Sequence, residues 1–170
     1  MRQILWIIGL LIVTVIQFGH RPLSAKQALD IRQDTVAKPY NALADAQADL
    51  DSLIRRTQKD GKHIIIQAGG NWCVWCLRFH AFIQQSDRIQ QVLGANYYYY
   101  HLNFSPENKN EEVFKRYADG KGAEFGYPFF IILDAEGQVL TVQESGNLEV
   151  GDSYDEEKVL ALFQQWVPAS

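Results

Sequence analysis

Cysteine is scarce in this chain: two residues of 170. The two stand three apart, in Gly70-Asn71-Trp72-Cys73-Val74-Trp75-Cys76, so neither has a third thiol to pair with. A disulfide across two intervening residues closes a very small loop and removes little entropy from the unfolded chain. A bridge there is of more use for its chemistry than for stability; the plain alternative is an ordinary stabilising disulfide in an exported protein. Basic residues are also in deficit, 16 Lys and Arg against 20 Asp and Glu, for a formal charge of −4. No basic stripe relieves that balance, and an acidic surface repels phosphate, which excludes a nucleic-acid partner. Internal repeats and low-complexity tracts are absent too.

A long apolar run is present only at the N-terminus. After Met1-Arg2-Gln3, residues Ile4 to Phe18 are almost wholly apolar, interrupted mainly by Thr14 and Gln17. Fifteen residues fall short of the roughly 20 that a spanning helix needs and suit the apolar region of a secretory signal. Arg21-Pro22 ends the run, and Leu23-Ser24-Ala25 offers a cleavage point, although Leu23 stands where a small residue is preferred. The reading is a signal peptide over 1–25, with an uncleaved N-terminal anchor as the alternative, and hence a periplasmic or otherwise exported protein. No cysteine follows the run, so a lipid-modified cysteine at a mature terminus is excluded. Removing Arg2 and Arg21 would leave 14 basic against 20 acidic residues.

Residues 26–39 read as a polar leader, and a single domain follows over 40–167. Leu43, Ala46, Leu50, Leu53 and Ile54 recur at helical spacing from Asn41 on, and Gly61 ends the pattern. His63–Ala68 is a short buried strand. Leu77, Phe79, Phe82, Ile83, Ile89, Val92 and Leu93 predict one kinked helix or two short ones, closed at Gly94. Tyr97-Tyr98-Tyr99-Tyr100-His101-Leu102 has the aromatic density of a strand with both faces covered. A polar turn leads to a helix around Glu111–Tyr117, and Asp119–Gly122 reads as a flexible loop. Phe129–Leu133 is a buried strand, Asp134–Gly137 a tight turn, and Gln138–Gln143 the returning hairpin strand. Ser145–Asp152 connects to a final helix over Asp155–Val167. Alternating elements that close on a hairpin give an α/β class, a mixed central sheet with helices on both faces.

A Cys-x-x-Cys at a strand-to-helix junction is a redox motif. With Tyr127-Pro128 before the next-to-last strand, and a hairpin followed by a terminal helix, the chain resembles the thioredoxin superfamily over roughly residues 40–167. The stretch Gly69-Gly70-Asn71-Trp72-Cys73-Val74-Trp75-Cys76 is most similar to exported bacterial members. The resemblance implies a thioredoxin-like fold and thiol–disulfide exchange with protein thiols and disulfides. It implies no cofactor beyond the Cys73–Cys76 pair, no metal, and an upstream redox partner that recharges the pair, membrane-bound in one version.

Cys73, at a helix N-terminus, would be the attacking thiolate, and Cys76 the resolving one. Trp72 and Trp75 would rim the substrate surface, Trp72 with packing as an equal alternative and Trp75 exposed. Tyr127-Pro128 is implied to be a cis-proline loop that pairs with substrate backbone, against the plain reading of a trans proline at a strand start. Gln67 stands where cytoplasmic thioredoxin has a buried acid and could reach toward Cys76; as an amide it cannot act as a base, which leaves water or Glu124 for the resolving step. His101 occupies the place of that family's lysine. His80 lies too far along the helix from Cys73 for direct acid–base help and reads as surface or packing, as do His63 and His101. Val74-Trp75 supplies neither a cation nor a donor to the sulfur, which favours a reductase or isomerase over an oxidant. The reading from a different class is a binding or chaperone-like module with a stable Cys73–Cys76 disulfide.

Overall fold

The computed structural model describes residues 37–169. The segment read as signal or anchor, and residues 26–36 of the leader, lie outside the described residues. The elements run α1 Ala46–Asp60, β1 His63–Gly69, α2 Val74–Gln85, α3 Asp87–Asn96, β2 Tyr97–Asn103, α4 Glu111–Ala118, α5 Gly122–Phe125, β3 Phe129–Leu133 and β4 Val139–Glu144. A short hairpin, β5 Glu149–Val150 with β6 Ser153–Tyr154, precedes α6 Glu156–Gln165.

One mixed sheet in the order β2-β1-β3-β4 forms the centre. β1 pairs parallel with β2 (Gln67 opposite His101) and antiparallel with β3 (Gln67 opposite Phe130), and β4 closes the hairpin. The period-two alternation of strand side chains sends β1 and β3 into two separate cores. Ile65, Phe130 and Ile132 meet Phe79 and Ile83 of α2, Ile89 and Leu93 of α3, and Val159 and Phe163 of α6. Ile64, Ile66, Phe129 and Ile131 face the other way, onto Leu50 of α1 and Val113 and Tyr117 of α4. Both faces are covered, which is why β1 and β3 read as unbroken apolar runs rather than alternating ones. The expected mixed sheet flanked by helices is the architecture observed.

Several local expectations change. The first helix begins at Ala46, capped by the Asp45 side chain on the Ala48 N–H at 3.0 Å. Leu43 precedes the helix and is 92% exposed, so it belongs to no buried face. The predicted kink is a break at Ser86, whose hydroxyl caps α3 by accepting from the Ile89 N–H. That cap restarts the helix, and Gly94 lies inside α3 rather than closing it. The last residue of the predicted 119–122 loop, Gly122, opens a further turn of helix, α5, with Lys121 as its N-cap. The β5–β6 hairpin starts inside the predicted connection and runs past its end to Tyr154, and it is too short to leave a periodic signal.

Candidate active site

β1 ends at Gly69, and the chain crosses to α2 in four residues; Gly69 and the first of those four, Gly70, must approach other groups closely. A Cβ on Gly69 would lie 2.4 Å from Cys76 Sγ and 2.9 Å from the Tyr40 hydroxyl. A Cβ on Gly70 would lie 2.3 Å from Trp72 Nε1 and 2.8 Å from the Phe104 carbonyl. Glycine at both positions lets the strand run directly beneath the cysteines.

Cys73 and Cys76 form a disulfide with their Cα atoms 5.2 Å apart. Cys73 is the N-cap of α2: its Sγ accepts from the Cys76 N–H at 3.1 Å, satisfying one of the free donors at a helix start. The same sulfur lies 3.5 Å from the Tyr127 carbonyl oxygen. The Tyr127–Pro128 peptide bond is cis. Cys73 retains 6% of its exposure and Cys76 none, so Cys73 is the less deeply buried of the two.

The two tryptophans differ. Trp72 is 56% exposed, yet its indole N–H donates to the Phe104 carbonyl at 2.6 Å and its ring meets Tyr127 edge-on at 5.5 Å. Trp75 is half-buried rather than exposed. It packs edge-on against Tyr154 at 5.7 Å, its carbonyl accepts from the Tyr154 hydroxyl at 3.1 Å, and the Arg78 guanidinium covers its ring at 4.8 Å. The β5–β6 hairpin, which carries Tyr154, is what buries it.

Beneath the cysteines lies a buried polar cluster built on Gln67, which has no exposed surface. Its Nε2 donates to the Cys76 carbonyl at 3.0 Å and to the Tyr40 hydroxyl at 2.6 Å, while its Oε1 accepts from the Tyr99 hydroxyl at 2.8 Å. Every hydrogen-bonding atom of the amide carries a partner, as a polar group this deep requires. Glu124, expected as an aid to the resolving step, is exposed on α5; Gln67 and the Tyr127 carbonyl make polar contacts to the cysteine pair, and Tyr40 shares its buried cluster.

His80 and His101 meet across α2 and β2, Nδ1 to Nε2 at 3.2 Å. Burial, and secondarily the neighbouring His80, lowers the His101 pKa to about 4, and burial lowers that of His80 as well. Both rings are therefore neutral near pH 7, one donating and one accepting. His101 also packs edge-on against Tyr40 at 5.1 Å. His63 donates from Nδ1 to the Trp166 carbonyl at 2.8 Å, a packing role. Among the described residues no group of three or more His, Cys, Asp or Glu side chains is placed to hold a metal.

Sequence reasoning missed Tyr40, Asn71 and Tyr99. Tyr40 falls at the first residue of the expected domain, before any periodic element, and Tyr99 stood inside an aromatic run read as strand packing. Asn71 carries no signal of its own within the motif stretch. Their contacts span between 27 and 32 positions, and nothing local announces them.

A family model described as a thioredoxin-like domain matches residues 50–149, more than half of the chain. The chain belongs to the thioredoxin-like domain family. A curated relative, the disulfide bond reductase DsbH of Chlamydia pneumoniae, is 25% identical over 91 residues, covering 51% of this chain and 55% of that one. The chain thus matches little more than half the length of that relative. Among solved structures, a disulphide isomerase from Xylella fastidiosa Temecula1 superposes with a TM-score of 0.64 at 17% identity, over 76% of this chain and 97% of that one. At that identity the likeness is one of fold. The thioredoxin-like assignment accounts for the sheet order, the Cys-x-x-Cys at the start of α2 and the cis-proline loop beside it.

Proposed function

We propose that this thioredoxin-like protein is an exported thiol–disulfide oxidoreductase that exchanges disulfides with protein partners through Cys73 and Cys76, working as a reductase or isomerase. The observation that carries the reading is Cys73 as the N-cap of α2, its sulfur held by the Cys76 N–H at 3.1 Å. Once reduced, a sulfur in that place is stabilised as thiolate by the free N–H groups and the helix dipole, which brings a thiol down from ~8.5 toward roughly 3.5–7.5. The thiolate attacks a partner disulfide, forming a mixed disulfide. Cys76, one turn inside the helix, then displaces the partner as a thiol.

Trp72, Trp75, Tyr127 and Pro128 form the surface around the reactive sulfur. The Tyr127 carbonyl, close to Cys73, would pair with partner backbone as an added strand does. The lean toward reduction rests on Val74-Trp75, which places no cation or donor over the sulfur, and is consistent with the reductase name of the DsbH relative. Export rests on the apolar run at 4–18, and with it an upstream electron donor at or across a membrane. Among the described residues no helix is long and apolar enough to cross one. The pair itself is the redox centre, so no bound cofactor enters the scheme.

The burial of both sulfurs favours one second reading, a binding module whose disulfide stays closed. Equilibration in glutathione redox buffers decides between them. A potential of roughly −270 mV, near that of thioredoxin, is the expected result. A value near −120 mV would make the protein an oxidant, and a pair still oxidised below about −300 mV would favour the binding module.

A further inference from the structure

The cluster under Cys76 has one unassigned proton. The Cys76 carbonyl can only accept, so the amide of Gln67 must turn its nitrogen toward it, at 3.0 Å. The other hydrogen of that nitrogen goes to the Tyr40 hydroxyl at 2.6 Å, and the amide oxygen is taken by Tyr99. The Tyr40 oxygen is thereby an acceptor, and among the described residues its own O–H has no assigned acceptor. Tyr40 shares one buried cluster with Cys73 and Cys76. Its oxygen and the Cys76 sulfur flank one point, 2.9 and 2.4 Å from where a Gly69 Cβ would stand. Burial raises the Tyr40 pKa far above the ordinary phenol value, so the group is a donor at every working pH and never a base. Gln67 has no hydrogen left to offer the sulfur.

We propose that in the reduced protein the Tyr40 hydroxyl donates a hydrogen bond to the Cys76 sulfur and stabilises the resolving thiolate. The assignment rests on the exchange reading given above. In the resolving step the Cys76 thiol gives its proton to solvent and its sulfur attacks Cys73 Sγ of the mixed disulfide. The Cys73–Cys76 bond forms and the bond from Cys73 to the partner breaks. The electron pair leaves on the partner sulfur, which takes a proton from solvent. Cys76 is oxidised and the partner sulfur reduced, with no further reactant.

Other titratable side chains near the pair are Tyr127 on the cis-proline loop, Tyr99 beyond Gln67, Tyr154 on β6, and His101 with His80 beyond Tyr40. None of these is charged at pH 7. The segment carrying Tyr40 is held to the motif by Asn71, whose side chain accepts from the Tyr40 N–H at 3.2 Å and donates to its carbonyl at 2.7 Å.

The test uses Tyr40→Phe, which keeps the ring and its packing on His101 and removes only the hydroxyl. Reduced protein is mixed with an aromatic disulfide reagent that releases a coloured thiolate. The first release reports attack by Cys73, the second resolution by Cys76. A hydrogen bond to a charged group is worth enough to move the Cys76 pKa up by about one unit when it is lost. Nucleophilicity rises with pKa and recovers part of that, leaving the second release about threefold slower near pH 7. The first should keep its rate. The pKa itself is read by thiolate absorbance in Cys73→Ser with and without Tyr40→Phe. Equal second-release rates and equal Cys76 pKa values would overturn the assignment, as would equal slowing of both releases, the mark of a merely structural change. A wild-type protein with no first release would instead overturn the exchange reading, whatever Tyr40 does.

Discussion

The Asn71 carboxamide grips the Tyr40 backbone from both sides, accepting its N–H at 3.2 Å and donating to its carbonyl at 2.7 Å. The pairing imitates one rung of a sheet across 31 positions of chain. It ties the segment before α1 to the residue two places before Cys73. Replacing Asn71 by Ala removes both bonds, each worth about 0.5–1.5 kcal/mol net. The expected loss is about 1–3 kcal/mol, seen as a lower denaturation midpoint with an unchanged slope. An unchanged midpoint would mean that the clamp does not form.

Gly69 is held to glycine by space and not by an unusual backbone angle. A Cβ there would be 2.4 Å from Cys76 Sγ, and a sulfur tied into a bridge has little room to yield. Gly69→Ala should cost about 1–3 kcal/mol, the usual range for overpacking, and the loss should be larger with the bridge closed than with it open. Thermal unfolding of oxidised and reduced protein checks this; equal losses in both states would place the strain elsewhere.

At Gln67 the chain has a neutral amide in a site closed to water. Gln67→Glu puts a titratable carboxyl against the Cys76 carbonyl and Tyr40, with its pKa raised by burial. The pH profile of the second thiolate release should then acquire a titration that wild type lacks. Glu124→Gln, on the exposed surface, should leave the profile as in wild type. The reverse pattern would return Glu124 to the resolving step.

His101 makes the fold sensitive to acid. In the unfolded chain its ring protonates near pH 6.5, whereas in the folded protein burial and His80 hold it neutral down to about pH 4. Between those values the unfolded state binds the extra proton. Stability is therefore complete above about pH 6.5 and declines as pH falls toward 4, by about 1.4 kcal/mol per unit for one proton. Denaturation midpoints between pH 7 and 4 should fall less steeply in His101→Gln than in wild type. Parallel curves would show that the His80–His101 pair does not contribute.

What could be read along the chain was whatever is repeated or adjacent. The unbroken apolar runs at Ile64–Ile66 and Phe129–Leu133 announced buried strands, and in the structure both faces of β1 and β3 meet helices. The spacing of Cys73 and Cys76 is a local fact, and so is their place between a strand and a helix. Even the misplacements were local in origin. Leu43 fitted the helical period but lies before the Asp45 cap, and periodicity carries no information about where a cap begins the helix.

Tertiary structure alone decided what surrounds the sulfurs. Tyr40, Gln67 and Tyr99 come from three segments and meet because β1 and β2 are parallel neighbours and Asn71 draws the segment before α1 over them. Trp75 is covered because Tyr154 arrives on a hairpin of two-residue strands. Spacing along the chain specifies which residues can be reactive, since helix and strand periods are short-range. The partners that hold a buried polar atom satisfied are chosen by three-dimensional proximity, and a tyrosine one position before the first turn carries no mark of that role in sequence.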